Sequence, residues 1–134
     1  MTEPRSEPFG DPLHVPFWEA ARRHELMVQR CQRCGTHQFF ARPFCLACRG
    51  DELEWVRASG RGTVYSMTTV HRQVSPDFPA PYVNALVTLD EGPRLLTTLV
   101  GPPCAIGARV RVTWKDRASG VPPLPMFTPT GETE

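Results

Sequence analysis

After Gly60 the chain alternates apolar and polar residues, as strands do when one face is buried. The pattern predicts four strands and a short fifth, at Thr63–His71, Tyr82–Leu89, Arg94–Val100, Arg109–Lys115 and Leu124–Phe127. The segment Asp90-Glu91-Gly92-Pro93 is typical of a tight turn and predicts a hairpin between the second and third strands. Short antiparallel strands in this order predict a small barrel, for which an OB fold is the best match and a sandwich fragment the alternative.

The N-terminal half carries shorter apolar runs, separated by two pairs of cysteines. A short helix can begin at Pro16, because proline suits the first helical turn, and it would run to His24 with Phe17 and Trp18 as its anchor. Three short strands follow, at Leu26–Arg30, His37–Phe40 and Leu53–Val56. Strands that alternate with cysteine pairs in this way predict a zinc ribbon, so the expected fold class is mainly β.

The two cysteine pairs have the spacing of a metal site. They are C-x-x-C pairs separated by ten residues, and their members are Cys31, Cys34, Cys45 and Cys48. Four thiolates form a closed tetrahedral shell, which is the usual structural zinc site and leaves no position for a catalytic water. Iron bound as in rubredoxins is the competing interpretation. A thioredoxin-like redox role is less favoured, because no βαβ pattern surrounds either pair.

The domain organisation follows from these elements. Residues 1–15 form an expected extended arm, since prolines at positions 4, 8 and 12 prevent a helix and the segment has little to bury. Residues 16–58 hold the helix and the ribbon, and residues 59–128 hold the barrel. Residues 129–134 form a polar tail that we expect to be disordered.

Composition and charge argue against several classes of function. The net charge is +1, which argues against an electrostatic nucleic-acid binder. No run approaches the roughly 20 apolar residues of a membrane span, and the first residues lack a signal peptide's apolar core, so we expect a cytoplasmic protein. Arginines are nonetheless concentrated around the cysteines, at Arg22, Arg23, Arg30, Arg33, Arg42 and Arg49. They either offset the thiolate charge or form a patch for a phosphorylated molecule or an acidic partner.

No catalytic motif stands out. The chain has no nucleophile elbow, phosphate-binding glycine loop or clustered carboxylates, and its four histidines are scattered. Cys104 stands alone in a Gly-Pro-Pro context and is interpreted as a loop or half-buried thiol without chemistry. We therefore expect no catalysis from this chain alone.

The order of motifs resembles a known family. The matching segments are Phe17-Trp18, Cys31-Gln32-Arg33-Cys34-Gly35, Arg42-Pro43, Cys45-Leu46-Ala47-Cys48, Trp55, Gly60-Arg61-Gly62-Thr63-Val64-Tyr65-Ser66, Pro81-Tyr82, Glu91-Gly92 and Gly107. In this order they resemble the acyl-CoA-associated proteins that join a rubredoxin-like zinc ribbon to an OB fold. Leu46 replaces the proline that usually follows the third cysteine.

The resemblance implies a non-catalytic accessory subunit that binds acyl-CoA. Its partner would be a thiolase-like enzyme (a thiolase, an acyltransferase or a steroid side-chain aldolase) or an enoyl-CoA hydratase. The family assigns roles only to the four cysteines. For the CoA phosphates we nominate Arg42, Arg57 and Arg61, because guanidinium groups bind phosphate well and these lie near the expected junction of ribbon and barrel.

Two other hypotheses remain. Zinc ribbons and OB folds also serve as single-stranded nucleic-acid-binding modules. The near-neutral charge and the acids Asp51, Glu52 and Glu54 after the ribbon count against that role. A rubredoxin-like electron carrier is the third hypothesis, and it predicts a coloured protein.

Overall fold

The structure is a computed structural model, and it describes residues 12–39, 41–73, 79–117 and 120–131. Most of the expected arm, the last residue of the predicted strand His37–Phe40, part of the loop before Pro79 and the end of the tail lie outside the described residues. Within the described residues, one helix and eight strands follow in chain order: α1 Val15–Ala21, β1 Met27–Cys31, β2 His37–Gln38, β3 Leu53–Arg57, β4 Arg61–Val70, β5 Tyr82–Leu89, β6 Arg94–Leu99, β7 Arg109–Lys115 and β8 Leu124–Pro129. None of the described helical segments has the length and apolarity needed to cross a membrane.

Strands β4 to β8 form a closed barrel with the order β4-β5-β6-β8-β7. All neighbouring pairs are antiparallel except β6 and β8, which run parallel and share a single aligned pair, Leu99 with Phe127. The predicted barrel is therefore confirmed. On β7, Val110 is fully buried, and Val112 and Trp114 pack against the same core, so the predicted alternation of that strand is also confirmed.

The ribbon is a three-stranded antiparallel sheet with the order β2-β1-β3. Helix α1 precedes it and turns into β1 through His24, which has a positive φ of 61°. The amides of His24 and Glu25 donate to the carbonyls of Ala21 and Ala20, which is the hydrogen-bond pattern of a Schellman turn. This turn ends the helix and directs the chain into the sheet.

Ribbon and barrel share one hydrophobic core. Phe17 from α1, Leu26 and Val28 from the ribbon, and Ala58 from the connector belong to the same buried cluster as the barrel residues. The barrel contributes Val64, Ala85, Val87, Leu89, Leu95, Val110 and Phe127. The helix therefore contributes to the packing between ribbon and barrel. Its residue Phe17 packs edge-on against both Trp18 and Phe39.

Element boundaries differ from the sequence expectations by a few residues. The helix begins at Val15 rather than Pro16 and ends at Ala21, because the Schellman turn stops it before His24. The last strand extends to Pro129, and the Thr130 amide still donates to the Arg109 carbonyl. The barrel thus includes Pro129, which the sequence pattern assigns to the polar tail.

Candidate metal centre and surrounding surfaces

The four predicted cysteines converge at the end of the ribbon. Their sulfurs all lie within 4.8 Å of one another, and Cys31 and Cys45 are fully buried. The Sγ atoms of Cys31 and Cys48 are 3.6 Å apart, as are those of Cys34 and Cys45. A tetrahedral zinc ion with Zn–S bonds of about 2.3 Å places its sulfurs about 3.8 Å apart. The donor set and its spacing therefore fit one such ion.

Backbone amides point at the sulfurs in both cysteine loops. The amides of Arg33 and Cys34 lie 3.4 and 3.5 Å from the Cys31 Sγ. The amides of Ala47 and Cys48 lie 3.3 and 3.4 Å from the Cys45 Sγ. Donors in the outer shell orient metal ligands and stabilise their negative charge, so the two loops are built as matching halves of one site.

Each loop ends on a residue with a left-handed backbone. In the first loop this is Gly35 with a φ of 81°, and in the second it is Arg49 with a φ of 69°. Gly50 serves a different purpose, because a Cβ there would lie 3.3 Å from the Arg33 side chain and 3.4 Å from the Cys48 Sγ. The second loop therefore uses its glycine for space beside a ligand sulfur.

The thiols differ in acidity because their hydrogen-bond partners differ. The side chain and backbone of Thr36 lower the pKa of Cys34 to about 6, and the amides of Cys34 and Arg33 lower the pKa of Cys31. The Gly50 amide favours the Cys48 thiolate, but burial and the neighbouring thiols outweigh it and raise the pKa of Cys48 to about 11. A bound divalent cation would hold all four as thiolates.

Two buried glutamines fix the second cysteine loop. Gln29 and Gln38 are aligned across β1 and β2, are only 4% and 6% exposed, and are joined by a 2.9 Å hydrogen bond. Gln29 exchanges two hydrogen bonds with the backbone of Arg42, and Gln38 binds the Phe44 carbonyl and the Leu46 amide. The two side-chain amides therefore supply hydrogen-bond partners that a neighbouring strand would otherwise provide, and they fix the conformation of residues 42–46.

Sequence reasoning missed this pair of glutamines. The available signal was their position, since each lies in a short strand next to a cysteine loop whose amides and carbonyls need partners.

The three nominated arginines lie on separate elements. Arg42 is exposed on the loop fixed by Gln29, and Arg57 is exposed at the end of β3, where its guanidinium is 4.0 Å from Glu25. Arg61 is exposed at the start of β4 and is aligned with Arg111 of β7, so two like charges face each other on the barrel surface. Sequence reasoning did not single out Arg111, because its proximity to Arg61 depends on barrel closure.

The arginines around the ribbon are only partly neutralised. Arg30 forms a 2.9 Å ion pair with Glu54, and Arg23 lies 3.4 Å from Glu25. Arg33, Arg42 and Arg49 have no ion-pair partner within the described parts of the chain. Cys104 lies in a loop, half-buried, and burial raises its pKa, as expected of a thiol outside the metal site.

These features define a class: a four-cysteine ribbon joined through one core to an OB-type barrel. Family models agree, since the ChsH2 rubredoxin-like zinc ribbon domain matches residues 18–54 and the ChsH2 C-terminal OB-fold domain matches residues 55–115. A solved chain titled "Ltp2-ChsH2(DUF35) aldolase" superposes with a TM-score of 0.80 and 35% identity, covering 95% of this chain and 98% of the other. The chain belongs to this ChsH2-type DUF35 family.

Two curated relatives are also similar. A probable enoyl-CoA hydratase alpha subunit of Thermomonospora curvata is 41% identical over 84% of this chain, and the match spans 36% of that relative's length. A benzoylsuccinyl-CoA thiolase subunit of Thauera aromatica is 30% identical over 90% of this chain and 88% of its own length. The present chain thus corresponds to nearly a whole thiolase subunit but to about a third of the hydratase subunit.

Proposed function

We propose that this protein is a non-catalytic subunit that binds acyl-CoA and assembles with a thiolase-like or enoyl-CoA-hydratase-like enzyme. The observation that carries the proposal is the match along nearly the whole chain to a thiolase subunit and to an aldolase-associated chain, on the same ribbon and barrel. Within the described residues, the metal-type cluster is the closed set of four cysteines, which stabilises the ribbon and offers no open coordination position.

The second cysteine loop supplies a docking surface for the partner enzyme. Phe44 and Leu46 flank the buried Cys45, yet they are 39% and 53% exposed. Their backbone is fixed by hydrogen bonds to Gln38, so the loop loses little conformational entropy when these side chains bind a partner. Apolar side chains on a rigid loop are typical of an interface centre, and the neighbouring Arg42 and Arg49 favour an acidic rim on the partner.

The barrel surface near Arg61 is the proposed contact for CoA phosphates. Arg57 and Arg61 flank the connector between β3 and β4, and Arg111 adds a third guanidinium beside Arg61. Like charges directly opposite on a sheet repel each other, and a bound phosphate would reduce that repulsion. Arg42 belongs to the docking loop and is proposed to contact CoA only within an assembled complex.

Calorimetry with decanoyl-CoA, acetyl-CoA and free CoA tests this function. We expect decanoyl-CoA to bind the isolated protein or its complex with a co-purifying thiolase-like or hydratase-like enzyme, and we expect Arg61→Ala with Arg111→Ala to weaken binding about tenfold. Arg22→Ala with Arg33→Ala, which removes two exposed guanidinium groups from the helix end and the first cysteine loop, is the matched control. Absence of binding in both states, together with absence of a complex, would overturn the proposal.

A further inference from the structure

A second surface lies at the opposite end of the barrel from Arg61. Strand β5 begins there, β6 and β7 end there, and together they leave an open cleft of about 630 Å³. That volume lies within the range of about 300–1,000 Å³ that is usual for small-molecule sites. The cleft therefore has room for a ligand of ordinary size.

The floor of the cleft is formed by apolar side chains at the edge of the hydrophobic core. Leu99 and Trp114 line it and pack against the core cluster, and Met126 at its base is only 5% exposed. Val83 completes the apolar side. Apolar side chains that line a concavity and remain open to water favour an apolar ligand, because its entry removes both surfaces from solvent.

Among the described residues that line the cleft, one is charged. Lys115 lines it, and its ammonium group has no hydrogen-bond or ion-pair partner anywhere in the described ranges. It is also the one lysine among the 15 basic Lys and Arg residues of the chain. An unpaired ammonium group beside an apolar floor selects a ligand that combines an apolar chain with an anionic group.

The Trp114 indole, which forms one wall of the cleft, is fixed by contact with His24. The His24 ring stacks on the indole at 5.5 Å with an interplanar angle of 6°, and its Nε2 lies 3.1 Å from the Asp116 carboxylate. His24 is itself fixed by the Schellman turn at the end of α1. Trp114 is therefore preorganised, which lowers the entropic cost of binding a ligand against it.

We propose that this cleft binds the acyl chain of an amphiphilic anionic ligand, with Lys115 contacting the anionic group. In its specific form the proposal rests on the proposed function, since the ligand class is then an acyl-CoA thioester. Arg111 and Lys115 are four residues apart on β7, which is about 13 Å along a strand, so one extended acyl-CoA can contact both Arg111 and the cleft. A free fatty carboxylate has the same combination of apolar chain and anion. The two sources are distinguished by using decanoyl-CoA, decanoate and free CoA as separate probes.

The test is a titration of these three probes against the whole protein and matched variants. Thr113→Trp fills the cleft from β7, and Thr68→Trp places the same bulk on an exposed position of β4 outside it. We expect Thr113→Trp to weaken decanoyl-CoA binding at least about tenfold and Thr68→Trp to leave it unchanged. If Thr113→Trp does not fold, Val100→Trp fills the same cleft from the end of β6.

The lysine provides an independent readout. Reductive methylation followed by mass spectrometry should modify Lys115 in the free protein, and decanoyl-CoA should slow that modification. Lys115→Met should weaken binding about tenfold, and Lys115→Arg should restore most of it. Equal binding of decanoyl-CoA by wild type, Thr113→Trp and Lys115→Met would overturn the proposal that the acyl chain binds in the cleft, while leaving the proposed function intact.

The remaining outcomes separate the two proposals. Binding of decanoate but not decanoyl-CoA, lost in Thr113→Trp, would support the cleft and overturn the CoA part of the proposed function. Binding of free CoA as tightly as decanoyl-CoA would overturn the acyl cleft and support a phosphate site. Absence of binding by all three probes, in the isolated protein and in the enzyme complex, would overturn both.

Discussion

The ribbon and the barrel are stabilised in different ways. The ribbon has strands of two to five residues, and its loops are held by four cysteines and two buried glutamines. The barrel has strands of six to ten residues that close around fully buried side chains such as Val87, Val110 and Phe127. The ribbon therefore depends on a few specific polar contacts, whereas the barrel depends on apolar burial distributed over many residues.

The two regions are nevertheless coupled. Phe17, Leu26 and Val28 precede the metal site in sequence but pack with the barrel core. Loss of the metal should therefore disorder the loops that carry the cysteines, while the part of β1 nearest the barrel keeps its packing. The following changes test how far the two regions behave separately.

The largest effect is expected from breaking the metal site. Cys45→Ser, or removal of the metal with a chelator, should unfold both cysteine loops, because structural zinc contributes on the order of 10 kcal/mol. Metal content measured by mass spectrometry should fall, and amide exchange should accelerate in residues 31–50 but much less in β4 to β8. A colourless metal-loaded protein identifies zinc, and a red one identifies iron.

Cys104→Ser is the matched control for that experiment, since it removes a thiol outside the metal site. It should leave the metal content unchanged. A full complement of metal and unchanged exchange in Cys45→Ser would contradict the assignment of the four cysteines.

The next largest effect is expected in the barrel core. Phe127 is fully buried, so Phe127→Ala should lower the free energy of unfolding by about 3–5 kcal/mol through lost burial and the cavity left behind. Leu96→Ala is the control, because Leu96 is 66% exposed and its truncation should cost less than about 0.5 kcal/mol. Denaturant unfolding followed by circular dichroism measures both, and comparable losses would show that the barrel is not closed around Phe127.

Much of this architecture could be predicted from the sequence. Alternation marked the barrel strands to within a few residues, and the C-x-x-C spacing marked the metal site, because both depend on local periodicity. The pairing of Arg61 with Arg111 and the stacking of His24 on Trp114 could not be predicted, since both arise when segments distant in sequence meet. The cleft beside Lys115 likewise exists only after β5, β6 and β7 converge.

An intermediate effect is expected from the glutamine pair. Gln38→Ala removes the partners of the Phe44 carbonyl and the Leu46 amide, and unsatisfied groups of this kind cost about 1–3 kcal/mol each when buried. We expect faster amide exchange at residues 44–48 and weaker metal retention in competition with a chelator. Gln32→Ala is the control, because the Gln32 side chain is exposed and, among the described residues, donates to the Glu54 carboxylate and not to a cysteine loop. Identical behaviour of the two variants would show that the pair does not fix the loop.

The smallest effect is expected at the turn after β5. Arg109 forms a two-point ion pair with Asp90 at 2.8 and 3.0 Å and holds the pKa of that carboxyl below its ordinary value of 3.8. A lowered pKa means that the contribution is present above pH 4 and is lost as the pH falls through the folded-state value. Asp90 is 43% exposed, so Asp90→Asn should cost less than about 1 kcal/mol.

Urea unfolding at pH 7 and pH 3 measures this contribution. The difference between wild type and Asp90→Asn should shrink at the lower pH, because protonation of Asp90 removes the ion pair with Arg109. If the difference in unfolding free energy between wild type and Asp90→Asn grew on acidification, the ion pair would not be the source of the stabilisation.

Assembly with an acyl-CoA enzyme is the central claim, and native mass spectrometry of a co-expressed pair tests it most directly. The chain is produced with a thiolase-like or hydratase-like enzyme of the same organism, as wild type, as Phe44→Ser with Leu46→Ser, and as Leu96→Ser. We predict a stable complex with wild type and with Leu96→Ser, and its loss in the double variant with the metal still bound. A wild-type chain that remains alone at micromolar concentration, or a double variant that assembles as well as wild type, would contradict the account.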